Sequence, residues 1–239
     1  IHIKTLTPVE VAFIAKKAKC SIDECIEALR DAGMYSMPGG GAEIFDPEVR
    51  EQICEHKCDA AQWFETHEAM HKRGMRTNCT MLIGHLEQYR HRVDHLLRLR
   101  AHQDAWARFD ADGNQSAGFQ CFIPLSFHPA NTAFSHLPGP TGFDELKNMA
   151  VCRLMLDNIP HIKAYWIMLG TKQAQVAQWF GADDMDGTVT HEEIYHDAGA
   201  TTPQGLQVED LERLIRDCGR EPVQRDSLYN EVGGEMVAK

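Results

Sequence analysis

Two kinds of hydrophobic pattern alternate along this 239-residue chain. Short apolar runs with the two-residue repeat of a β-strand alternate with longer stretches that have the 3.6-residue repeat of an amphipathic helix. The strand-like runs are Ile1–Leu6, Met34–Pro38, Thr77–Ile83, Cys121–Phe127 and His161–Met168, with a weaker run at Trp179–Ala182. The helix-like stretches are Pro8–Leu29 (broken near Cys20-Ser21), Pro47–Arg73, Glu87–Ala107, Phe143–Leu156, His191–Asp197 and Val208–Asp217.

A strand followed by a helix, repeated about six times, predicts parallel strands joined by helical crossovers. This order suits a doubly wound sheet or part of a (β/α)8 barrel. Gly-, Pro- and His-rich loops follow several predicted strands, at Pro38–Gly41, Gly84-His85 and His128-Pro129. A barrel places its chemistry in the loops at the carboxyl ends of its strands. We expect an α/β fold, with an incomplete (β/α)8 barrel over residues 1–189 and a helical extension over residues 190–239.

Polar side chains occupy one face of two predicted strands. His161, Lys163 and Tyr165 share a face of the later strand, and His2 and Lys4 share a face of the first. The apolar residues between them should face the surrounding helices, which leaves the polar face inside the barrel. Most barrels fill this interior with branched aliphatic side chains. The pattern therefore predicts a polar, anion-binding interior, unless these side chains snorkel to solvent at the strand ends.

The composition narrows the classes of function. A formal net charge of -11 argues against a general nucleic-acid or anionic-membrane surface. No apolar run approaches the roughly 18 residues of a membrane span, and no signal peptide opens the chain. The eight cysteines lie in otherwise apolar segments, which favours reduced cytosolic thiols. Ile1 is not a start methionine and lies inside a predicted strand, so we interpret the chain as a fragment.

His67-Glu68-Ala69-Met70-His71 fits the H-E-x-x-H zinc motif, in which two histidines one helical turn apart share a metal ion. The extended form of the motif needs a third histidine at position 77, where the chain has Thr77. We therefore interpret these residues as an ordinary exposed helix that contains histidines.

Two other metal patterns are incomplete. Cys54 and Cys58 have the first spacing of a C-x3-C-x2-C motif, but the third position is Ala61. Asp183–Gly187 resembles a calcium loop whose first ligand position would be Ala182, which cannot coordinate. No metal ligand is predicted. The three acids suit a loop that binds a ribose or an ammonium group, or a helix N-terminal cap.

Several segments together resemble the aminofutalosine synthase family of radical S-adenosylmethionine (SAM) enzymes. These segments are Ser36–Phe45, Thr80–Glu87, Phe122–Pro129, Arg153–Asn158, His161–Trp166 and Gly181–Thr188. The first is similar to a glycine loop that this family shares with the dehypoxanthine futalosine cyclases and the deazaflavin synthases. The last two favour aminofutalosine synthase, and the similarity extends from Ile1 to about Tyr229.

The resemblance implies strands three to eight of a radical SAM barrel, with Ile1–Leu6 as the third strand and Trp179–Ala182 as the eighth. In such enzymes a C-x3-C-x2-C motif after the first strand binds a [4Fe–4S] cluster, and SAM chelates its fourth iron. That motif is absent from this sequence, so we expect the chain alone to be inactive. The resemblance also implies a cytoplasmic enzyme that receives electrons from a donor such as flavodoxin or ferredoxin. The open barrel edges could pair with another copy.

The implied reaction belongs to menaquinone biosynthesis. Reductive cleavage of SAM gives the 5′-deoxyadenosyl radical, which adds to the enol ether of 3-[(1-carboxyvinyl)oxy]benzoate; rearrangement and loss of the carboxyl group give aminofutalosine. Because the substrate carries two carboxylates, cationic side chains inside the barrel suit its binding. The residues assigned to the substrate are His2, Lys4, His128, His161, Lys163, Tyr165 and Asp184.

For SAM, Leu82, Gly84 and Glu87 fit most of a G-x-I-x-G-x-x-E pattern near the adenine, although Thr80 replaces its first glycine. Ser36 and Glu43 are assigned to the ribose or the methionine. Alternatively, Glu87 only begins the following helix, where an acid suits the dipole. No catalytic residue is assigned. Two other interpretations stay open: a relative that makes the cyclised futalosine or a deazaflavin, and a half-barrel that binds without catalysis.

Overall fold

The computed structural model describes residues 2–189 and 191–232. Ile1, at the start of the first predicted strand, and the last seven residues of the predicted extension lie outside the described residues. The helices are α1 Pro8–Ala18, α2 Ile22–Asp31, α3 Pro47–Cys54, α4 Ala60–Lys72, α5 Tyr89–Trp106, α6 Gly142–Met155, α7 Trp166–Leu169, α8 Thr171–Ala177, α9 Ile194–Asp197 and α10 Val208–Asp217. The strands are β1 Ile3–Lys4, β2 Met34–Met37, β3 Arg76–Ile83, β4 Arg108–Phe109, β5 Gln115–Ser126 and β6 His161–Ile162.

The strands form a curved parallel wall. Its order is β1-β2-β3-β5-β6, and each neighbouring pair is parallel. Beyond β6, an isolated parallel bridge between Lys163 and Asp184 adds one more backbone segment to the wall. Helices connect the successive strands, as crossovers between parallel strands require. The predicted α/β fold is confirmed, and its form is a partial (β/α) barrel.

Local capping explains where the first helices begin and end. Thr7 and Ser21 each form a capping box with a glutamate three residues later, so α1 and α2 are separate helices, as the predicted break requires. The predicted helix Pro47–Arg73 is wrong as a single element. Asp59 accepts a hydrogen bond from the backbone of Gln62 and starts a second helix there.

Two predicted strands differ from the structure. The run His161–Met168 is a strand only over its first two residues, and the following apolar residues form α7. Trp166, Ile167 and Met168 are all buried, and such a run has no periodicity that separates a strand from a short core helix. The predicted strand at Trp179–Ala182 is wrong as well. Residues Gln178–Phe180 form a 3-10 helix, and the wall continues only at Asp184.

An antiparallel element is the feature that the sequence reasoning missed. β4 pairs with the first residues of β5 through a turn in which Asp110 accepts hydrogen bonds from the backbone N–H groups of Asp112 and Asn114. Its residues are exposed, so the hairpin extends β5 at the amino end of the wall. The short polar run gave no two-residue alternation from which a strand could be predicted.

The main core lies between the wall and its helices. Trp63 of α4 and Phe119 of β5 are fully buried there, with Phe45, Ile83 and Phe122. A second cluster lies between α1, α2 and α4, around Ile26 and Met70. In the described part of the chain, no helix is long and apolar enough to cross a membrane.

Candidate active site

The alternation of β3 divides its side chains between the helices and the barrel interior. Thr77 faces outward, since its hydroxyl contacts two histidine rings of α4 at 2.9 and 2.8 Å. Asn78 therefore faces inward, and it pairs in register with Cys121 of β5. The register shifts at this level, and Gln120 Nε2 also donates to Asn78 Oδ1 at 3.1 Å. A bulge thus directs two adjacent β5 side chains into the interior.

The cationic side chains identified by strand parity lie in this interior. Lys4 pairs in register with Ser36, His161 with Cys121, and Lys163 with Asp184. The ammonium groups of the two lysines are near enough for their charges to repel each other. The interior is therefore polar, whereas most barrels fill it with aliphatic side chains.

Lys163 is buried between two carboxylates. Its Nζ lies 2.5 Å from Oδ1 of Asp186 and 3.6 Å from Oδ2 of Asp184. Burial disfavours the ammonium, but the two aspartates outweigh burial and raise the pKa of Lys163 above the ordinary lysine value. The acidic loop therefore binds an ammonium group that the chain itself supplies, and the charge of Lys163 is already compensated.

Asp184 is also held from the C-terminal segment. Arg225 Nη2 and Tyr229 Oη donate to Asp184 Oδ2 at 2.6 and 2.5 Å. Burial alone would raise the pKa of Asp184, but the charges of Lys163 and Arg225 and the two hydrogen bonds outweigh it. The pKa of this carboxyl lies below the ordinary aspartate value. Asp184 is thus ionised, and its Oδ2 atom is fully engaged by Arg225 and Tyr229.

Lys4 has no such compensation. No carboxylate of the described residues lies within 4.0 Å of its ammonium group. Burial and the neighbouring charge of Lys163 lower the pKa of Lys4 to about 8. Lys4 is therefore the interior cation that has charge available for a ligand.

Residues 224–232 form a hairpin across the amino end of the barrel, which we call the barrel-floor hairpin. Arg225 and Glu231 form its antiparallel bridge. Arg76, at the start of β3, donates to the carbonyl of Leu228 at 2.7 Å. The predicted helical extension therefore ends in a hairpin that closes the barrel.

Two histidines line the interior near this floor. His161 Nδ1 lies 2.7 Å from Asp183 Oδ2, and its ring stacks on Tyr229 with centroids 4.1 Å apart. His2 Nε2 lies 2.7 Å from the hydroxyl of Ser36. Ser36 thus lies beside the residues assigned to the substrate, far along the wall from the other residues assigned to SAM.

Glu87 anchors the loop after β3. Its carboxylate accepts hydrogen bonds from the backbone N–H groups of Gly84 and His85 at 2.7 and 2.9 Å, and from Arg92 at 2.7 Å. The side chain is fully buried. Gly84 has a φ of +90°, and a Cβ there would lie 2.3 Å from Pro140. Glu87 therefore fixes the shape of the loop after β3, while its own oxygens are engaged by the protein.

Arg50 holds the glycine loop after β2 by donating hydrogen bonds to the backbone carbonyl groups of the loop. The buried guanidinium donates to Gly41 O at 3.3 Å, Ile44 O at 3.2 Å and Ala42 O at 2.5 Å, and also to Cys58 O. The glycines of this loop contact protein atoms: a Cβ on residue 39 would lie 2.6 Å from the Cys79 backbone, and one on residue 41 would lie 2.2 Å from Val9. Close packing against the protein therefore accounts for these glycines.

Glu43 lies in the same loop with a left-handed backbone, at a φ of +46°. Its backbone carbonyl accepts from Leu82 N at 2.8 Å, and its carboxylate pairs with Lys57 at 2.6 Å. The structure thus brings Glu43, Leu82, Gly84 and Glu87 together at the carboxyl end of the wall.

His128 and Tyr165 follow β5 and β6 at that same end. His128 Nε2 donates to the Met168 carbonyl at 3.1 Å, and the Tyr165 ring packs edge-on against Tyr195 at 5.9 Å. Burial, followed by the nearby acids, raises the pKa of the Tyr165 hydroxyl, which therefore stays protonated. The residues assigned to the substrate thus form two groups. His128 and Tyr165 lie at the carboxyl end of the barrel, and the others lie near its floor at the amino end.

Sequence reasoning missed four interior residues: Asp186, Arg225, Tyr229 and Cys121. Asp186 lies in the acidic loop that was noted, but nothing singled it out from its neighbours. Arg225 and Tyr229 lie in a tail without periodicity, so the sequence gives no signal for their contact with Asp184. Strand parity could have identified Cys121, which burial gives a pKa of about 12 and therefore keeps as a thiol.

The interpretation of His67 and His71 as exposed is wrong. Both are buried and share the Thr77 hydroxyl, and His71 Nδ1 lies 3.1 Å from His102 Nε2. The aromatic rings of Trp63 and Phe119 pack against them, so the α4 face that carries them belongs to the core.

Residues 2–189 and 191–232 form no metal centre. This part of the chain has no group of three or more His, Cys, Asp or Glu side chains arranged to hold a metal ion. The described residues therefore do not fit a cluster, and none of them is assigned to one. A cleft of about 1140 Å³ runs along Asp183–Thr188 and α10, and His161, Arg225 and Tyr229 also line it, so the cleft opens onto part of the interior site.

Comparison with known families agrees with this architecture. The model of the radical SAM superfamily matches residues 4–99, and the model described as the CofH/MqnC C-terminal region matches residues 116–234. The chain belongs to the radical SAM superfamily, whose enzymes use SAM and a [4Fe–4S] cluster. The crystal structure of methylornithine synthase has a TM-score of 0.65 over 84% of this chain and 56% of that chain, at 13% identity, and it supports the fold.

Curated relatives sharpen the comparison. The chain is 44% identical to the aminodeoxyfutalosine synthase of Thermus thermophilus and 42% identical to that of Streptomyces coelicolor. It is 39% identical to a 5-amino-6-(D-ribitylamino)uracil–L-tyrosine 4-hydroxyphenyl transferase of Methanothermobacter thermautotrophicus. These matches cover 97%, 96% and 97% of this chain and 61%, 59% and 62% of the relatives. The chain thus spans about 60% of their length, and the family resemblance seen in the sequence is confirmed.

Proposed function

We propose that the whole protein is an aminodeoxyfutalosine synthase, which joins the 5′-deoxyadenosyl group to 3-[(1-carboxyvinyl)oxy]benzoate with loss of the carboxyl group. The identity to two aminodeoxyfutalosine synthases, 44% and 42%, carries this proposal, since the hydroxyphenyl transferases match at 39% or less. The cationic interior supports it, because the substrate is a dicarboxylate. This chain alone, which has no C-x3-C-x2-C motif, should be inactive.

SAM and its cluster supply the organic radical when they are bound. The residues of this chain bind SAM and the substrate with which that radical reacts, and hold them in position. We propose that the loop of Leu82 and Gly84 packs against SAM, with Glu43 beside it and Glu87 fixing the loop from behind. The residues proposed for the substrate remain His2, Lys4, His128, His161, Tyr165 and, through their mutual ion pair, Lys163 and Asp184.

The wider assignments are proposals too. We expect residues 1–189 to act as the barrel and residues 190–239 as a C-terminal extension, of which residues 224–232 close the barrel floor. The electron donor should be a flavodoxin or a ferredoxin, and the free thiols of all eight cysteines support a reducing, cytoplasmic location. The open edge beside Asp184 could pair with another copy.

The test uses the full-length enzyme under anaerobic conditions, with its cluster reconstituted and with SAM and a reductant. One reaction contains 3-[(1-carboxyvinyl)oxy]benzoate, and a second contains L-tyrosine with 5-amino-6-(D-ribitylamino)uracil. Mass spectrometry should detect aminodeoxyfutalosine in the first reaction and no coupled product in the second. A matched control without reductant should give neither product.

Product in the second reaction alone would refute the proposed function and assign the protein to the hydroxyphenyl transferases. Cleavage of SAM without either product would also refute it, and would indicate another substrate of the same superfamily.

A further inference from the structure

The charges inside the barrel do not balance. Three cations, Lys4, Lys163 and Arg225, face two carboxylates, Asp184 and Asp186. Both carboxylates are already engaged: Asp186 binds Lys163 at 2.5 Å, and Asp184 binds Arg225 at 2.6 Å. One positive charge is therefore left over, and it belongs to the cation without a carboxylate partner, Lys4.

The remaining groups near Lys4 cannot supply the missing negative charge. Cys121 lies close to it, but burial keeps that thiol protonated, with a pKa of about 12. Tyr229 also stays neutral, because burial raises the pKa of its hydroxyl. Two other acids lie at this end of the barrel, and both have partners. Asp183 pairs with His161 and Arg153, and Asp226 accepts a hydrogen bond from Asn230 and faces the charge of Arg76.

Lys4 is half-buried, and an uncompensated charge that is partly removed from water is costly; an anion that reaches it recovers part of that cost. Lys163 cannot play this role without giving up a short contact with Asp186. We infer that Lys4 is the residue that binds a carboxylate group of a ligand inside the barrel, and that Lys163 instead fixes the two aspartates. This inference depends on the proposed function in one respect, which is the identity of the ligand that carries the carboxylate.

Two ligands of a radical SAM enzyme could bring this carboxylate: the aromatic substrate and the methionyl part of SAM. Binding measurements separate them without catalysis. One probe is benzene-1,3-dicarboxylate, which carries two carboxylates on an aromatic compound, as the proposed substrate does. The other is S-adenosylhomocysteine, which carries the amino-acid carboxylate of SAM. Isothermal titration calorimetry on the full-length protein measures both dissociation constants.

The variants are Lys4→Gln, Lys4→Arg and, as a control, Lys16→Gln on the exposed face of α1. Loss of one charge-assisted contact should weaken the dicarboxylate about tenfold to hundredfold in Lys4→Gln. Lys4→Arg keeps the charge and should retain most of the affinity, and Lys16→Gln should bind like the wild type. If S-adenosylhomocysteine shows this dependence and the dicarboxylate does not, the carboxylate is that of SAM and the role of Lys4 stands.

The pH dependence gives a test that needs no variant. With a pKa of about 8, the free Lys4 ammonium loses its proton as the pH rises. Affinity for the dependent probe should therefore fall about tenfold between pH 7 and pH 9 in the wild type and should stay level in Lys4→Gln.

Equal affinity of wild type and Lys4→Gln for both probes would overturn the inference. So would a Lys4→Gln protein that binds normally but unfolds more easily, since a protein carboxylate would then compensate Lys4. Lys4-dependent binding by an enzyme that makes no aminodeoxyfutalosine would refute the proposed function alone.

Discussion

The Arg50→Lys substitution is the most direct test of how the glycine loop is held. Arg50 is 6% exposed, and its two terminal nitrogens each donate to two backbone carbonyls. Lysine keeps the charge but offers a single nitrogen. It can keep the carbonyls of one guanidinium nitrogen, so two buried carbonyls lose their donor.

A buried carbonyl without a donor costs about 1–3 kcal/mol. Two of them give a loss of about 2–4 kcal/mol in the free energy of unfolding, allowing for partial rescue by water. Typical domains have 5–15 kcal/mol in total, so this loss is large. Leu82 N of β3 donates to Glu43 O of the glycine loop. Release of this loop should therefore also loosen the carboxyl end of β3.

Urea unfolding followed by circular dichroism measures this loss, and hydrogen exchange at the Leu82 amide reports the loosening. The control is Arg98→Lys on the exposed face of α5, which should change the free energy of unfolding by less than about 0.5 kcal/mol. If Arg50→Lys is as stable as Arg98→Lys, or if the Leu82 amide stays protected, then the four carbonyl contacts do not hold the loop.

Three further predictions concern other buried contacts. Burial holds the pKa values of His67 and His71 well below 6.5 and lowers that of His102 to about 4, so the unfolded chain binds more protons below pH 6.5 and stability falls as the pH drops toward 4. His71→Asn should reduce that slope by up to about 1.4 kcal/mol per pH unit in urea titrations, and an unchanged slope would contradict the assignment. Gly39→Ala should destabilise the fold by about 1–3 kcal/mol because its Cβ meets the Cys79 backbone, whereas Gly187→Ala, with nothing within 4 Å, should be neutral in thermal melts. Tyr229→Phe removes a hydrogen bond to ionised Asp184 and should cost about 1.5–3 kcal/mol at pH 7. It should also move acid unfolding to higher pH, unlike Tyr35→Phe on the surface; identical acid midpoints would exclude the contact.

The sequence predicted the wall better than its margins, for reasons that particular residues illustrate. The strand predicted at Thr77–Ile83 is confirmed as β3, because a strand's two-residue alternation can be recognised in the sequence itself. Lys4 and Lys163 were found by the same alternation. Their difference could not be, because it depends on Asp186 and Asp184, which lie more than twenty residues from Lys163 and far from Lys4 in sequence. Pairing between residues this far apart in the sequence produces no periodic pattern from which it could be predicted.

The histidine cluster shows a second limit. The sequence around His67 has the composition of an exposed helix, and only the outward hydroxyl of Thr77 explains how the imidazoles are accommodated in the core. Likewise, Trp166–Leu169 has apolar residues at every position, so its helix cannot be distinguished from a strand before the tertiary packing is known.

The barrel-floor hairpin also has a consequence in time. The Leu228 carbonyl that receives Arg76 lies 152 residues later in the chain. At a synthesis rate of about 5–20 residues per second, the two groups emerge from the ribosome about 8–30 s apart. Asp184 itself emerges about 2–9 s before Arg225 and Tyr229, and until they arrive the barrel is open to water at its amino end. A nascent chain halted before residue 224 would thus present an unsealed barrel to chaperones until residues 224–232 are made.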